Sequence, residues 1–407
     1  MQINTPNRVL AVIGIGLVLS LLGDQTLYTV LPNPELAAEA GVTLGMVGIL
    51  LGLNRLTRVL LNGPAGYLYD RLPRRPLMIF SLGIGALSTL LYAVTPGPGL
   101  FLFGRILWGA AWAGIWIGSN TIALDIADSD TRGWVTGRLQ TWFFLGIGLA
   151  SLAGGLFTDI FGYQRGLYLS AFLTTIGVIL WVFLLPETRP KNPILKGENI
   201  KEVSENRRFP WRVTFQASLP TFVLRLVFAG VITSTTILWL GQFFNKGITL
   251  SGFIIPLASL TGGFIAVRVL VSMLSAPAAG IISDRIGMRW IVMAVVMFAG
   301  MLGLWMMGVF LISTAVLGAL LATLSAGGIQ GLVPAIIGDQ VGFHRQSRVI
   351  GAVYTIGDLG SAIGPPMALF LVPLIGINSL FQICAVLFCA AGIFGLIMAS
   401  RESARVK

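Results

Sequence analysis

Two stretches of the sequence resemble each other: residues 66–77 read GYLYDRLPRRPL, and residues 280–291 read GIISDRIGMRWI. An offset of 214 residues aligns them, so that Gly280 corresponds to Gly66 and Asp284 to Asp70. The same offset aligns three more pairs of identical residues: Asp339 with Asp125, Gly351 with Gly137 and Gly376 with Gly162. Five matches at one offset indicate that the second half of the chain repeats the first.

The composition is typical of a membrane protein. Of the 407 residues, 55% are hydrophobic and only 11% are charged, whereas a soluble domain carries about a quarter charged residues. Apolar runs near the roughly 20 residues that cross a bilayer core predict twelve helices, near residues 9–30, 43–69, 75–95, 98–125, 134–157, 165–185, 216–243, 252–278, 290–311, 313–337, 349–373 and 377–399.

The repeat divides these helices into two bundles of six with the same orientation, an architecture known among transporters. We therefore predict an all-α membrane protein with an N-terminal bundle at residues 1–186 and a C-terminal bundle at residues 216–407. The stretch 187–215 between them is polar and rich in Lys, Arg and Glu, which predicts a cytoplasmic linker.

The net charge of +11 invites a nucleic-acid interpretation, but the placement of the charges argues against it. Most of the 27 Lys and Arg residues fall in the predicted loops of one side, and only Arg165 and Lys246 fall in loops of the other. This is the positive-inside pattern. It predicts cytoplasmic termini in a multi-pass protein of the cell (cytoplasmic) membrane, with the lipid bilayer and not nucleic acid as partner.

The stretch from Gly66 to Arg75 resembles the loop signature of the major facilitator superfamily, G-x-L-x-D-R-x-G-R-[RK], between helices two and three. Residues 280–289 resemble a weaker copy between helices eight and nine, and Pro73 stands where the family usually has Gly. The resemblance covers nearly the whole chain. It implies a transporter that works by alternating access, with two bundles rocking about a central site.

The charged residues of these loops predict a cytoplasmic gate. Carboxylates and guanidiniums that meet where helices leave the membrane can form a bidentate, partly desolvated network that holds the face closed. The alternative is that the arginines only set the topology. The predicted gate residues are Gly66, Asp70, Arg71, Arg74, Arg75 and Asp125 in the first half, and Gly280, Asp284, Arg285, Arg289 and Asp339 in the second.

Ionisable residues inside the predicted helices are costly and usually functional. Asp24 and Arg105 each lie about six residues from the outer end of their helices, so they share one depth and predict a pair. Because burial can raise the pKa of a carboxyl toward neutrality, Asp24 is the candidate for proton coupling. Residues 104–109 also resemble the R-x-x-x-G signature of proton-coupled family members. A purely structural ion pair is the alternative.

Arg225 and Asp358 form a second pair matched in depth, for which a structural role is favoured. Arg55, Arg58 and Arg268 are left without an obvious carboxylate. At about 100° per residue, Asn54, Arg55 and Arg58 share one face of helix two, and the offset of 214 aligns Arg268 with Asn54. Guanidiniums facing a cavity favour a carboxylate or phosphate on the substrate. The alternatives are bonds to backbone carbonyls or a part in the gate.

Trp112 and Trp116 lie on the same arc of helix four as Arg105, which favours the cavity over a lipid-facing or packing surface. Indole rings there would contact an amphipathic or ring-bearing substrate. The predicted substrate-binding residues are therefore Asn54, Arg55, Arg58, Trp112, Trp116, Arg225, Arg268 and Asp358.

These patterns predict a secondary active transporter, monomeric and proton-coupled, for a small organic solute, with an anionic or amphipathic one favoured. A multidrug efflux antiporter for lipophilic cations and a non-transporting sensor are the alternatives. Helix five only partly resembles the antiporter signature, because Ala150 and Ser151 stand where Gly-Pro is expected. An enzyme is not predicted, since the chain has neither H-E-x-x-H nor a nucleophile elbow. No cofactor, metal site or disulfide is predicted either.

Overall fold

The computed structural model describes residues 6–94, 97–127, 131–189, 209–245, 247–250, 253–341 and 343–406. Within them, twelve helical spans are long and apolar enough to cross a membrane. The first half contains α1 (Pro6–Val30), α2 (Pro34–Glu39), α3 (Leu44–Arg71), α4 (Arg74–Val94), α5 (Pro98–Asp125), α6 (Arg132–Phe161) and α7 (Tyr163–Leu184).

The second half begins with one span built from α8 (Trp211–Leu224), a π-helical segment (Arg225–Ile232) and α9 (Thr233–Phe244). It continues with β1 (Gly247–Leu250), β2 (Phe253–Pro256), α10 (Leu257–Ile286), α11 (Arg289–Met307), α12 (Ile312–Gln340), α13 (Phe343–Ile375) and α14 (Ile377–Val406).

The predicted repeat is visible in the turns between the last two helices of each half. Gly162 lies between α6 and α7 with a φ of 85°, and Gly376 lies between α13 and α14 with a φ of 77°. Side chains with a Cβ rarely adopt this left-handed region, so glycine is the residue that suits both turns. The starts of α5 and α12, at Pro98 and Ile312, also differ by the offset of 214.

The predicted helix near 252–278 begins and ends later than expected. A hairpin precedes it, in which Ile248 pairs with Ile255 and Thr249 with Ile254. These β-branched residues favour strands, and their apolar character alone does not separate a strand from a membrane span. The helix α10 then runs from Leu257 to Ile286.

The predicted linker at residues 187–215 lies largely outside the described residues, and α8 already begins at Trp211. The division at 186 and 216 stays a prediction.

A short helix that was not predicted, α2, follows Asn33, whose side chain accepts a hydrogen bond from the N–H of Glu35. Pro34 at its first position suits a helix start, because the missing N–H would have no partner there.

The two bundles touch at one end of the molecule, which we call the sealed face. A Cβ at Gly48 of α3 would lie 2.7 Å from the Cα of Pro366 in α13. A Cβ at Gly155 of α6 would overlap the carbonyl of Ala258 in α10. Only glycine allows backbones to approach this closely, so these positions hold α3 against α13 and α6 against α10.

The opposite end carries the two repeated loops, and we call it the signature face. A cavity between the bundles reaches toward this end, since Asn62 of α3, Gln140 of α6 and Gly351 of α13 line it. The molecule is therefore closed at the sealed face and open at the signature face.

Candidate transport cavity

A cavity of about 520 Å³ lies between the bundles, within the size range of small-molecule sites. The first half contributes side chains from α1, α3, α5 and α6, and the second half contributes residues from α8, the π-helical segment, α10, α12 and α13. The predicted site residues that line it are Asp24, Asn54, Arg55, Arg58, Trp112, Trp116, Arg225 and Asp358.

Asp24 and Arg105 form the predicted pair. The distance from Arg105 Nη1 to Asp24 Oδ1 is 2.6 Å, and the two side chains are 0% and 5% exposed for Arg105 and Asp24 respectively. Asp24 borders the cavity, whereas Arg105 lies behind it. A carboxylate that a solute or water in the cavity can reach is thus the counter-charge of a fully buried guanidinium.

Other side chains hold this pair in place. Asn54 Nδ2 donates to Asp24 Oδ1 at 3.3 Å, and Gln25 Nε2 donates to Asp24 Oδ2 at 3.4 Å. Arg105 Nε donates to the Leu50 carbonyl at 2.8 Å, while its Nη2 is buried without a hydrogen-bond partner among the described residues. Asp24 is therefore the single carboxylate that the described residues place against the buried charge of Arg105.

Asp358 accepts from two arginines. Arg58 Nη2 lies 3.2 Å from Asp358 Oδ2, and Arg225 Nη1 lies 3.3 Å from Asp358 Oδ1. The predicted pair of Arg225 with Asp358 is confirmed, but the prediction that Arg58 has no carboxylate is wrong. Arg58 belongs to the first half and Asp358 to the second, and a helical count of depth within each chain segment does not reveal which helices face each other across the cavity.

Arg55 and Arg268 differ from each other. Arg55 lines the cavity without a carboxylate partner among the described residues, and its Nε donates to the Tyr28 hydroxyl at 3.4 Å. Arg268 is absent from the cavity lining; its Nε donates to Thr323 Oγ1 at 3.2 Å and its guanidinium lies 5.8 Å from the Phe228 ring centre. The prediction that Arg268 faces the cavity is therefore wrong for this structure, because packing against α12 and the π-helical segment turns it into the second bundle.

The tryptophans of α5 form one wall. The rings of Trp112 and Trp116 stack with centres 6.0 Å apart, and Phe143 of α6 lies 4.8 Å from Trp116. All three line the cavity. The predicted placement of Trp112 and Trp116 at the cavity is confirmed, and Phe143 extends the aromatic surface onto the next helix.

At the signature face, each half contains one ion-pair cluster. Arg74 Nε lies 3.2 Å from Asp125 Oδ2, while Arg289 pairs with Asp339 and lies 2.7 Å from Asp284 Oδ1. Each cluster stays within its own bundle, and both are intact although the face is open. These pairs therefore do not distinguish an open from a closed face.

The remaining predicted gate residues are exposed or partly exposed. Asp70 has no ion pair or carboxylate hydrogen bond among the described residues, and Arg71 lies 4.1 Å from the Tyr67 ring centre. Arg285 is exposed, and a Cβ at Gly66 or Gly280 would meet no atom within 4 Å. Closure of this face by Asp70 and its neighbours stays a prediction.

Sequence reasoning missed the glutamate that caps α4. Glu187 accepts from the backbone N–H groups of Arg74 at 3.0 Å, Arg75 at 3.1 Å and Arg189 at 3.0 Å. Partial burial acts against its charge, but these donors outweigh it and lower the pKa of Glu187 below the ordinary 4.5. No spacing signal could have found this cap, because Glu187 and Arg74 are 113 positions apart.

The model of the major facilitator superfamily matches residues 13–275 and 265–407. The chain belongs to the major facilitator superfamily. It is a multi-pass membrane transporter and not an enzyme, and proteins of this family carry small molecules. The resemblance of the repeated loops is thereby confirmed.

Relatives of known name are similar to this chain along most of its length. The multidrug resistance protein MdtG of Salmonella arizonae is 25% identical over 344 residues, covering 83% of this chain and 81% of the relative. The class E tetracycline resistance protein of Escherichia coli is 26% identical over 373 residues, covering 90% of this chain and 88% of the relative.

Solved structures share the fold. A bacterial homologue of the human lysosomal transporter Spinster, inward-facing and occupied, superposes with a TM-score of 0.76 at 15% identity, covering 98% of both chains. The human organic anion transporter MFSD10 (TETRAN) superposes with a TM-score of 0.67 at 18% identity, covering 97% of this chain and 100% of that one.

Proposed function

We propose that this protein is a proton-coupled secondary transporter that moves a small organic solute by alternating access, as a monomer in the cytoplasmic membrane with both termini in the cytoplasm. Asp24 carries the proposal: it is a carboxylate at the cavity wall, 2.6 Å from the buried Arg105. Binding a proton there changes the charge balance beside the solute, so proton and solute binding influence each other.

Charge at the cavity supports an anionic or amphipathic solute. Arg55, Arg58 and Arg225 line it together with only two carboxylates, Asp24 and Asp358, among the described residues. A cation entering this space would meet an excess of positive charge, whereas an anion would reduce it.

Export of lipophilic cations is the second candidate. It is supported by the names of the relatives, which are resistance proteins for drugs and tetracycline. Ser151 of α6, one of the two residues that depart from the antiporter signature, lies near Asp24. Its Oγ donates to Gln25 Oε1 at 3.3 Å, and Gln25 in turn donates to Asp24.

The first experiment identifies ligands by thermal unfolding of the detergent-purified protein with matched anionic, neutral and cationic small molecules, because binding to the folded state alone raises its stability. The ligands that stabilise it are then added to proteoliposomes that contain a pH-sensitive dye. We expect solute-dependent proton movement in the wild type, none in Asp24→Asn, and ligand binding in both.

Glu35→Gln is the matched control, since Glu35 is an exposed carboxylate outside the cavity and its loss should change neither signal. Solute transport that moves no protons in the wild type, or proton movement that survives in Asp24→Asn, would remove Asp24 from the mechanism. Stabilisation by lipophilic cations alone would make the second candidate the better one.

A further inference from the structure

The carboxylate of Asp358 holds together groups that differ in how far a solute can reach them. Arg58 on one oxygen is 9% exposed and Asp358 itself 6%, but Arg225 on the other oxygen is 30% exposed. Arg225 is also the first residue of the π-helical segment, and such segments are frequently found at functional sites. A solute in the cavity can therefore contact Arg225 without displacing Arg58.

The charges around Asp358 do not balance. Arg105 forms an ion pair with Asp24, while Arg58 and Arg225 both pair with the single negative charge of Asp358. Arg55 has no carboxylate among the described residues. Four guanidiniums thus face two carboxylates, and a further anion between Arg55 and Arg225 would bring the group closer to neutrality.

The same cavity has the aromatic wall of Trp112, Trp116 and Phe143. Flat aromatic surfaces contact rings and apolar groups well, and they contribute nothing to binding a small inorganic anion. The combination of a cationic wall with an aromatic wall fits a ligand that carries both an acid group and a ring.

We propose that the substrate is an aromatic carboxylate and that Asp358 is an internal substitute for its acid group. When the substrate enters, its carboxylate pairs with Arg225 and Arg55, while Asp358 remains paired with Arg58. The ring of the substrate then lies against Trp112 and Trp116. This inference rests on the proposed transport function and specifies the substrate of the same cavity.

If Asp358 stands in for the acid group of the substrate, removing its charge should strengthen substrate binding. Asp358→Asn keeps the size of the side chain but removes the charge that competes with the substrate for Arg225. Affinity for an aromatic carboxylate should therefore rise, by about tenfold, rather than fall. Arg225→Gln removes the group that the substrate takes, so the same affinity should decrease by about tenfold.

The test measures equilibrium binding to the full-length protein in detergent by calorimetry. The three probes share the naphthalene ring and differ in charge: naphthoate is anionic, naphthamide is neutral and naphthylmethylammonium is cationic. The wild type should prefer naphthoate. Asp358→Asn should tighten naphthoate and leave naphthamide unchanged, Arg225→Gln should weaken naphthoate alone, and Trp116→Ala should weaken naphthoate and naphthamide alike. Glu35→Gln is again the control and should bind as the wild type does.

Weaker or equal naphthoate binding in Asp358→Asn would overturn the inference, as would a wild type that binds none of the probes or prefers the ammonium. If Asp358→Asn does not fold, the preference of Arg225→Gln for naphthoate over naphthamide decides: its loss supports the inference and its persistence overturns it. The assay needs neither a bilayer nor a pH gradient. A protein that binds naphthoate but moves no protons fails the proposed coupling and keeps this inference.

Discussion

At the signature face, the two halves of the molecule are held by corresponding contacts. Arg74 pairs with Asp125 in the first half and Arg289 with Asp339 in the second; the offset of 214 aligns the two aspartates, whereas the two arginines are 215 positions apart. Each half also places a glutamate at the start of its third long helix: Glu187 accepts from the N–H of Arg75, and Glu402 accepts from the N–H of Trp290 at 3.4 Å.

In the middle of the membrane, the correspondence ends. The offset of 214 aligns Asp24 with Leu238 and Arg105 with Ala319, so the second half has no counterpart of the buried pair. Asn54 aligns with Arg268, which packs within the second bundle. The repeated contacts join helices within each bundle, whereas the unrepeated residues are those to which the proposed transport mechanism assigns a role.

The largest effect is expected from Arg105→Gln. It leaves the buried Asp24 without its counter-charge, and breaking a buried pair on one side costs about 3–5 kcal/mol. The unfolding free energy should fall by that amount near neutral pH, and the double variant Asp24→Asn with Arg105→Gln should recover much of it. The measurement is thermal or denaturant unfolding in detergent.

Ala319→Gly changes the corresponding position of the second half and should cost only about 1 kcal/mol, mainly through helix propensity. If Arg105→Gln is no less stable than this control, the pair of Asp24 and Arg105 does not stabilise the fold and the contrast between the halves has no energetic basis.

A smaller effect is expected from Arg58→Gln. Asp358 keeps Arg225 as its second partner, so the variant loses one charged hydrogen bond, worth about 2 kcal/mol. Adding Arg225→Gln leaves the carboxylate buried and unpaired, and the loss should then reach about 3–5 kcal/mol. Equal losses for the single and double variants would mean that Arg225 does not share the charge of Asp358.

Asp159 tests the contact between the halves at the sealed face. Asp159 Oδ2 of α6 accepts from the N–H of Ser259 at 2.6 Å and from its hydroxyl at 2.5 Å, and so caps α10 of the other bundle. Asp159→Ala loses a helix cap worth about 1 kcal/mol, but only while the face is closed. More molecules should therefore open at the sealed face.

Spin labels at Glu35→Cys and Ile254→Cys, with Cys384 and Cys389 replaced by Ser, would report this opening as a longer distance in a larger fraction of molecules. Glu402→Ala, at the signature face of the second bundle and outside the predicted gate, is the control and should leave that distance distribution unchanged. The same distribution in wild type and Asp159→Ala would show that the cap does not hold the sealed face.

Ion pairs matched in depth within one half could be predicted from the sequence, whereas the cap of Glu187 on α4 and the contacts between the halves could not. Asp24 with Arg105, and Arg225 with Asp358, follow from counting residues along helices, because depth depends only on a rise of 1.5 Å per residue. Arg58 was misjudged because its carboxylate lies on α13 of the other bundle. The contact of Asp159 with Ser259 could not be predicted for the same reason, because the spacing of residues along a helix does not encode how one bundle packs against the other.

The smallest effect is expected from Glu187→Gln. The lowered pKa of Glu187 means that its charged form is favoured by folding, so its contribution is complete above the ordinary value of 4.5 and is lost as the pH falls through the lower folded value. The variant should unfold at a slightly lower temperature than the wild type at pH 7, and the difference should disappear in acid.

Glu402→Gln is the matched variant in the second half, where the cap is a single bond of 3.4 Å, so its effect at pH 7 should be smaller still. Neither variant should change which ligands the cavity binds, because both glutamates lie outside the cavity lining. A changed ligand preference in Glu187→Gln would mean that contacts at the signature face also affect ligand binding in the cavity. The distinction between repeated residues that stabilise the bundles and unrepeated residues that bind the ligand would then be wrong.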